Sequence, residues 1–347
     1  MSEVKLDSSS GLKIAIIGAG AVGSAVGALL AHDGQDVTLI GRPAHMEAIR
    51  RQGGLQVDGY PGDLVVPIKA AERLDFRPDL ALLTVKTQDV VTAVRDNLTF
   101  LTDTPLVTLQ NGVFSDELIA EILPRCQIIS AVVLVGATYL TPGRVTILQQ
   151  GALVVGRPFG PRDAQVDKIA SVLNRAVLTR VSDNIRGAHW LKLIINLNNP
   201  LPALTDWPMS RVAADPNRGR LAVRLIREGL RVTERAGIQL ASLPRRPIGV
   251  IRLVAWLPVG LAARLLSSTA RRIETRWPLL GSTLQSIRRG RPTEIDYLNG
   301  EVVRLGERVG VPARLNAKVV ELVHHVEGTG QFFSLDALRH AIETGAS

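Results

Sequence analysis

The chain runs to 347 residues, 46% hydrophobic and 21% charged, long enough for two cores and too apolar for a disordered protein. Its one cysteine, Cys126, excludes an intrachain disulfide and a multi-cysteine metal site, and no metal is expected. The formal charge of +9 comes from basic residues scattered along the chain, paired at Arg245-Arg246, Arg271-Arg272 and Arg288-Arg289; without a basic tail or an aromatic stripe, this favours an anionic cofactor and a carboxylate substrate over nucleic acid.

Residues 1–12 are polar and read as a loose tail. An apolar strand from Lys13 to Ile17 then feeds the turn Gly18-Ala19-Gly20-Ala21-Val22-Gly23, the turn opens a helix, and a second strand ends at Leu39-Ile40-Gly41-Arg42. This is the order of a dinucleotide pocket. Gly18 permits the tight turn, Gly20 leaves room for a pyrophosphate, Gly23 lets helix and strand pack, and the helix N-terminus offers N–H groups to phosphates. A carboxylate after the second strand would hold the ribose of NAD. Arg42 stands there instead, and its planar fork of donors suits the 2′-phosphate of NADP(H). The plain alternative is a solvated arginine just past a strand. Gly18, Gly20, Gly23 and Gly27 divide the uncharged run from Ile14 to Ala31, so it reads as strand, turn and helix and neither as a membrane span nor as an export signal.

Val65 to Ile68 reads as a short strand or connector. Asp79 to Val85 reads as a buried strand ending at Lys86-Thr87-Gln88, and Pro105 to Leu109 as another, ending at Gln110-Asn111-Gly112. Ile128 to Leu134 follows in the same style, and Arg144 to Val155 reads as a hairpin pair. Short apolar strands between helical segments predict an α/β protein with a Rossmann-type, doubly wound, mostly parallel sheet, whose ligands gather outside the carboxyl ends of the strands near Lys86 and Asn111. Beyond residue 182 strand signals fade, and helical patterns appear at about 186–204, 217–236, 248–267, 294–310 and 313–328. Pro200, Pro202 and Pro208 interrupt the first of these. The expected organisation is an NADP-binding domain over 1–181 and an all-helical substrate and catalytic domain over 182–347. The apolar run Val250 to Leu261 reads as a core helix pair or a lid, in preference to a membrane contact or partner face, because Arg252, Pro258 and Arg264 interrupt it.

Hydride transfer to a ketone leaves negative charge on its oxygen, so a reductase needs an acid beside that oxygen and groups that hold the substrate. Lys86 and Lys192 both lie in apolar stretches, and lysine can give up a proton where arginine cannot. Lys192 shares a helical face with Asn196, one turn on, and Asn198 and Asn199 follow in the same polar cluster. The alternative is a snorkelling lysine above asparagines that cap its helix. Glu294 falls where Pro292 or Thr293 would introduce a helix, so its place in the first turn fits a helix start as well as an active site.

Gly18-x-Gly20-x-x-Gly23 with Arg42, Thr84-Val85-Lys86, Gln110-Asn111-Gly112, Trp190-x-Lys192-Leu193-x-x-Asn196, and the run from Arg291 through Thr293-Glu294-Ile295-Asp296-Tyr297 to Gly300 together resemble the ketopantoate reductase (2-dehydropantoate 2-reductase) family. The resemblance implies NADPH-dependent reduction of a 2-oxo acid to a 2-hydroxy acid, 2-dehydropantoate to pantoate, in pantothenate and coenzyme A biosynthesis; the single cysteine fits a reducing cytoplasm. It implies Lys192 as the acid at the carbonyl oxygen and Glu294 as the group that positions Lys192, substrate and cofactor. Lys86 and Asn111 would contact cofactor and substrate, Asn196, Asn199 and Ser282 would hold the hydroxy acid, and residues 18–23 with Arg42 would bind the nucleotide. A homodimer is compatible with it; nucleic acid and stable membrane insertion are not expected. Ser286 stands where many members carry Asp, and Asn199 comes one residue before the position of a second family asparagine. These departures leave room for a relative acting on another 2-oxo acid or a bulkier ketone. A non-catalytic NADP-binding regulator would need the glycine turn but not Lys192, Asn196 and Glu294 together.

Overall fold

The computed structural model describes residues 12–271 and 280–345. Nearly all of the expected tail, and the close of the apolar stretch running from Leu243 to Pro278, lie outside the described residues. Contacts divide the chain into two units, Met1–Ile185 and Arg186–Ser347.

The first unit runs β1 (Lys13–Ile17), α1 (Ala21–His32), β2 (Asp36–Ile40), α2 (Pro43–Arg51), β3 (Leu55–Gly59), β4 (Leu64–Val66), β5 (Lys69–Ala71), β6 (Leu80–Leu83), α3 (Val90–Asp96), α4 (Leu98–Leu101), β7 (Leu106–Thr108), α5 (Ser115–Ala120), β8 (Ile128–Val133), β9 (Gly136–Thr138), β10 (Arg144–Gln149), β11 (Ala152–Gly156), α6 (Ala164–Ala176) and β12 (Leu178–Val181). Eight strands form one sheet in the order β12-β11-β8-β7-β6-β1-β2-β5. Neighbours are parallel except β11, which runs against β8. Both faces of this sheet are covered. Ile14 and Ile16 of β1 join a core with Ala25, Val26 and Leu29 of α1, while Ala15 and Ile17 join another with Val90 and Val94 of α3. Burial on both faces is why the central strands read as unbroken apolar runs. The order reverses at β1, from which the chain goes to β2 and β5 on one side and to β6, β7 and β8 on the other.

The expected hairpin over Arg144 to Val155 does not form. β10 pairs with β3 and β9 in a separate four-stranded sheet, whereas β11 enters the large one. Their burial explains the parting: β11 is buried at every position and fits an interior strand, while β10 buries Val145 and Ile147 on one side and leaves Arg144 exposed.

The second unit comprises α7 (Ile185–Asn196), which starts at the division, α8 (Pro200–Thr205), α9 (Met209–Ala214), α10 (Pro216–Arg235), α11 (Ile248–Trp256), α12 (Val259–Arg271), α13 (Ser282–Arg288), α14 (Asn299–Val309), α15 (Arg314–Thr329) and α16 (Leu335–Gly345). Apart from a bridge between Leu243 and Arg246, its described residues form only helices and connections. The long α10 is its spine. The Asp215 side chain accepts from the Asn217 and Arg218 amides at its start, which satisfies two of the orphan donors of the first turn. Gly229 lets α10 close on the end of α7, since a Cβ there would lie 3.3 Å from Ile194 Cγ1 and 2.7 Å from Cδ1 of Leu197, the residue just past it. Glu228 of α10 caps α15 through the Leu315 and Asn316 amides, each at 3.0 Å. α11 carries no buried residue and is no core helix; apolar composition marks a face that avoids water in principle, not one that has been covered. Among the described residues no helix is long and apolar enough to cross a membrane.

Candidate functional site

In the first unit the expected nucleotide residues follow four neighbouring parallel strands: the glycine turn after β1, Arg42 after β2, Lys86 after β6 and Asn111 after β7. The carboxyl ends of these strands, around the reversal at β1, are where open α/β sheets bind ligands. Gly18 has φ +111°, and a Cβ there would meet the Val85 amide nitrogen at 2.5 Å. Gly23 is equally committed, with Gly18 O 2.4 Å and Thr84 Oγ1 2.5 Å from where its Cβ would stand. Gly20 differs. It is the N-cap of α1, no side chain caps that helix, and the nearest atom to an added Cβ is 4.0 Å away. The turn from Gly18 through Ala19, Gly20, Ala21 and Val22 to Gly23 is therefore a backbone cradle at an uncapped helix end without acidic residues in its first turn, and it fits a pyrophosphate. Arg42 is exposed as the N-cap of α2, and its guanidinium enters no ion pair among the described residues.

Two supports of this edge were not singled out from the sequence, although the quoted motifs contain them. Thr84 donates its hydroxyl to Gly18 O at 2.7 Å, joining the end of β6 to the glycine turn. Gln110 Nε2 donates to Leu83 O at 2.9 Å and Val85 O at 3.1 Å, joining the residues before Asn111 to those before Lys86. Lys86 and Asn111 are half-buried. A third support, His45, is far from any motif. Its Nδ1 accepts from the Gly143 amide at 2.8 Å, so Nε2 carries the proton and faces Ser24 Oγ at 3.1 Å, and its ring lies on Tyr139. This ties α1 and α2, which flank the glycine turn and Arg42, to the loop before β10. Burial lowers the His45 pKa to about 4.

In the second unit Lys192 lies on α7, buried. Burial lowers its pKa to about 8, and the negative charge of Glu294 acts the other way. The structure thus brings these two residues into electrostatic contact. His189, one turn earlier, is a neighbour that sequence reading passed over: burial first, and then the Lys192 charge, lower its pKa to about 3, so it is neutral at pH 7. Spacing of three on a helix could have revealed it.

Asn196 ends α7 and Asn199 is the N-cap of α8, so the expected helix over 186–204 breaks between them, just ahead of Pro200. Pro200 lacks an amide to continue the ladder of α7, so it opens a new helix, although Asn199 before it keeps right-handed helical geometry. Ser282 begins α13, and Gly281 passes so near Asn199 that a Cβ would lie 2.9 Å from the Asn199 carbonyl oxygen. Asn196, Asn199 and Ser282 are all half-buried. Ser286 donates its hydroxyl to Ser282 O at 3.0 Å, within its own helix.

Glu294 is not in the first turn of a helix as expected. It caps a 3-10 turn, Ile295–Tyr297, and α14 begins only at Asn299. The start is set by Asn299, whose buried Nδ2 donates to Leu197 O at 3.1 Å and Asn316 Oδ1 at 2.9 Å. From α15, Glu327 accepts the Thr293 amide at 2.6 Å, and His324 lies between Glu327 and Asp296 at 2.8 and 3.0 Å. The Glu294 segment is thereby held on both sides. No cluster of His, Cys, Asp and Glu among the described residues could hold a metal.

Two family models match the chain, "Ketopantoate reductase PanE/ApbA" over residues 14–159 and "Ketopantoate reductase PanE/ApbA C terminal" over residues 184–327. A 2-dehydropantoate 2-reductase from Pyrococcus horikoshii is 33% identical over 322 residues, which cover 92% of this chain and 99% of that protein. The crystal structure of a PanE/ApbA family ketopantoate reductase from Ralstonia eutropha is similar with a TM-score of 0.73 at 31% identity, over 91% of this chain and 99% of that one. A D-mandelate dehydrogenase solved with NADH and anilino(oxo)acetate shares the fold, with a TM-score of 0.78 at 24% identity over 92% and 99% of the two chains.

Proposed function

The chain belongs to the ketopantoate reductase family, and from that membership we propose that it is an NADPH-dependent oxidoreductase that reduces 2-dehydropantoate to pantoate. The observation that carries the reading is the pairing of buried Lys192 with Glu294 in the helical unit, because a binding module has no use for a buried ammonium tuned towards neutrality. Bound NADPH supplies the hydride. The chain's own groups do the rest. As the carbonyl carbon is reduced, its oxygen takes up a proton, and the Lys192 ammonium is the donor. Burial makes the proton easier to release, while Glu294 keeps the amine charged until it is needed. Asn196, Asn199 and Ser282 offer hydrogen bonds to the hydroxy acid and its carboxylate. The backbone cradle from Gly18 to Gly23 holds the pyrophosphate, Arg42 the 2′-phosphate, and Lys86 and Asn111 the nicotinamide side at the strand ends. A cytoplasmic setting accords with a chain whose one cysteine can form no internal disulfide.

A panel of 2-oxo acids, followed by NADPH oxidation, tests the reading. The highest kcat/KM is expected for 2-dehydropantoate. A different preferred acid would shift the reading to a relative whose pocket has been altered where Ser286 replaces the usual carboxylate, and NADPH binding without turnover of any acid would defeat both.

A further inference from the structure

Of the eleven large hydrophobic side chains that stand exposed among the described residues, five lie together on α11 and α12: Val250, Leu253, Trp256, Leu261 and Leu265. Trp256 is 81% exposed and Leu253 58%. Val250, Leu253 and Trp256 follow at intervals of three and share one helical face. α11 is nevertheless pinned. Arg227 of α10 donates from Nε to Ala255 O at 2.6 Å and from Nη2 to Leu257 O, closing the carbonyl end of α11 and holding its greasy side outward. α12 packs on α10 and buries Ala262 and Ala263, which leaves Leu261, Arg264 and Leu265 facing away.

Charge says what covers this face. From Arg235 to Ile273 the sequence holds seven arginines and no aspartate, glutamate or lysine, and Arg252 and Arg264 stand exposed among the apolar side chains. A second copy meeting the same face across a two-fold axis would set arginine against arginine. An anionic bilayer satisfies both features: aliphatic and indole groups enter the headgroup boundary while guanidinium groups meet phosphates. We propose that α11 and α12 form a docking face for an anionic phospholipid surface. The contact is interfacial, consistent with helices too short to span, and it is independent of the reductase reading.

The test is flotation of the full chain with vesicles of phosphatidylcholine alone or mixed with phosphatidylglycerol. Binding is expected only to the mixed vesicles, weakening as salt rises, with a blue shift of tryptophan fluorescence that Trp256→Phe abolishes. Leu253→Ser with Trp256→Ser lowers binding by about tenfold or more, from the lost apolar burial. Arg252→Ser and Arg264→Ser each lower it by about fivefold; because these two sets of variants act through different chemistry, misfolding of one, seen by circular dichroism, leaves the other to decide. Equal binding to both vesicle types, no binding to either, or full binding by the variants overturns the proposal. So does a dimer in sedimentation equilibrium that the Leu253→Ser, Trp256→Ser variant dissociates, since a second copy would then cover the face.

Discussion

Two opposing influences act on the Lys192 side chain. Burial weakens its hold on the proton, bringing the pKa to about 8, and the Glu294 charge strengthens it. On the proposed reading the protonated form is the active acid, so kcat is expected to be level below pH 8 and to fall above it. Glu294→Gln removes the charge that favours the ammonium and shifts the fall to lower pH. Lys192→Ala should lower kcat by roughly 10²–10⁴-fold, the usual worth of a positioned acid, while the Kd for NADPH is unchanged. Calorimetric titration beside a kcat profile checks both, and weakened NADPH binding with a normal kcat would contradict the assignment. His45 makes a different statement, about stability. Its pKa falls from 6.5 in the unfolded chain to about 4 in the native one, so on acidification the unfolded chain takes the proton first. The contribution is fully present above pH 6.5 and is lost as pH falls towards 4, by about 3 kcal/mol. Urea unfolding at neutral and acid pH should show this loss in the wild type and a flatter dependence in His45→Gln.

At the level of elements, the strand, turn and helix at the N-terminus assign separate duties to glycines that look alike in the motif. A methyl group at position 23 would lie 2.4 Å from a backbone oxygen, whereas one at position 20 has nothing nearer than 4.0 Å. Gly23→Ala is therefore expected to destabilise the protein by about 1–3 kcal/mol, the range for overpacking, and to lose cofactor binding with it. Gly20→Ala should unfold at the wild-type temperature yet bind NADPH more weakly, because its methyl enters the space at the uncapped end of α1. Thermal melts with and without NADPH separate the two, and a Gly20→Ala variant that binds normally would show that no phosphate lies there. Elements also mark where local reading gave out. Two apolar strands two residues apart suggest a hairpin, but burial on both faces drew β11 into the large sheet and left β10 in the small one. Thr293-Glu294 looks like a helix start, yet Asn299, held by Leu197 and Asn316, sets the start of α14 one turn later.

At the scale of the whole molecule there are two units with different secondary structure, and on the proposed reading NADPH acts on the one that carries the glycine turn. At a concentration near one hundred times its Kd the cofactor is expected to stabilise that unit by about 2.7 kcal/mol, read as a rise in its melting temperature. Arg42→Ala should weaken NADPH by about tenfold, the loss of a charged hydrogen bond, and leave NADH as it was; an unchanged preference would remove Arg42 from the phosphate site. The glycine turn, the alternation that marks an α/β sheet and the shared helical face of Lys192 and Asn196 could all be read before any fold was known, because each is written in neighbouring residues whose spacing is the signal. Folding alone settled that Gly281, just before Ser282, comes up against Asn199, that His45 clasps the Gly143 amide, and that the apolar α11 faces outward; the charge of Glu294 acting on Lys192, which the sequence carried only as what the resemblance implies, also depends on it. Periodicity states which side of an element avoids water; only the packing of distant segments determines what, if anything, comes to cover it.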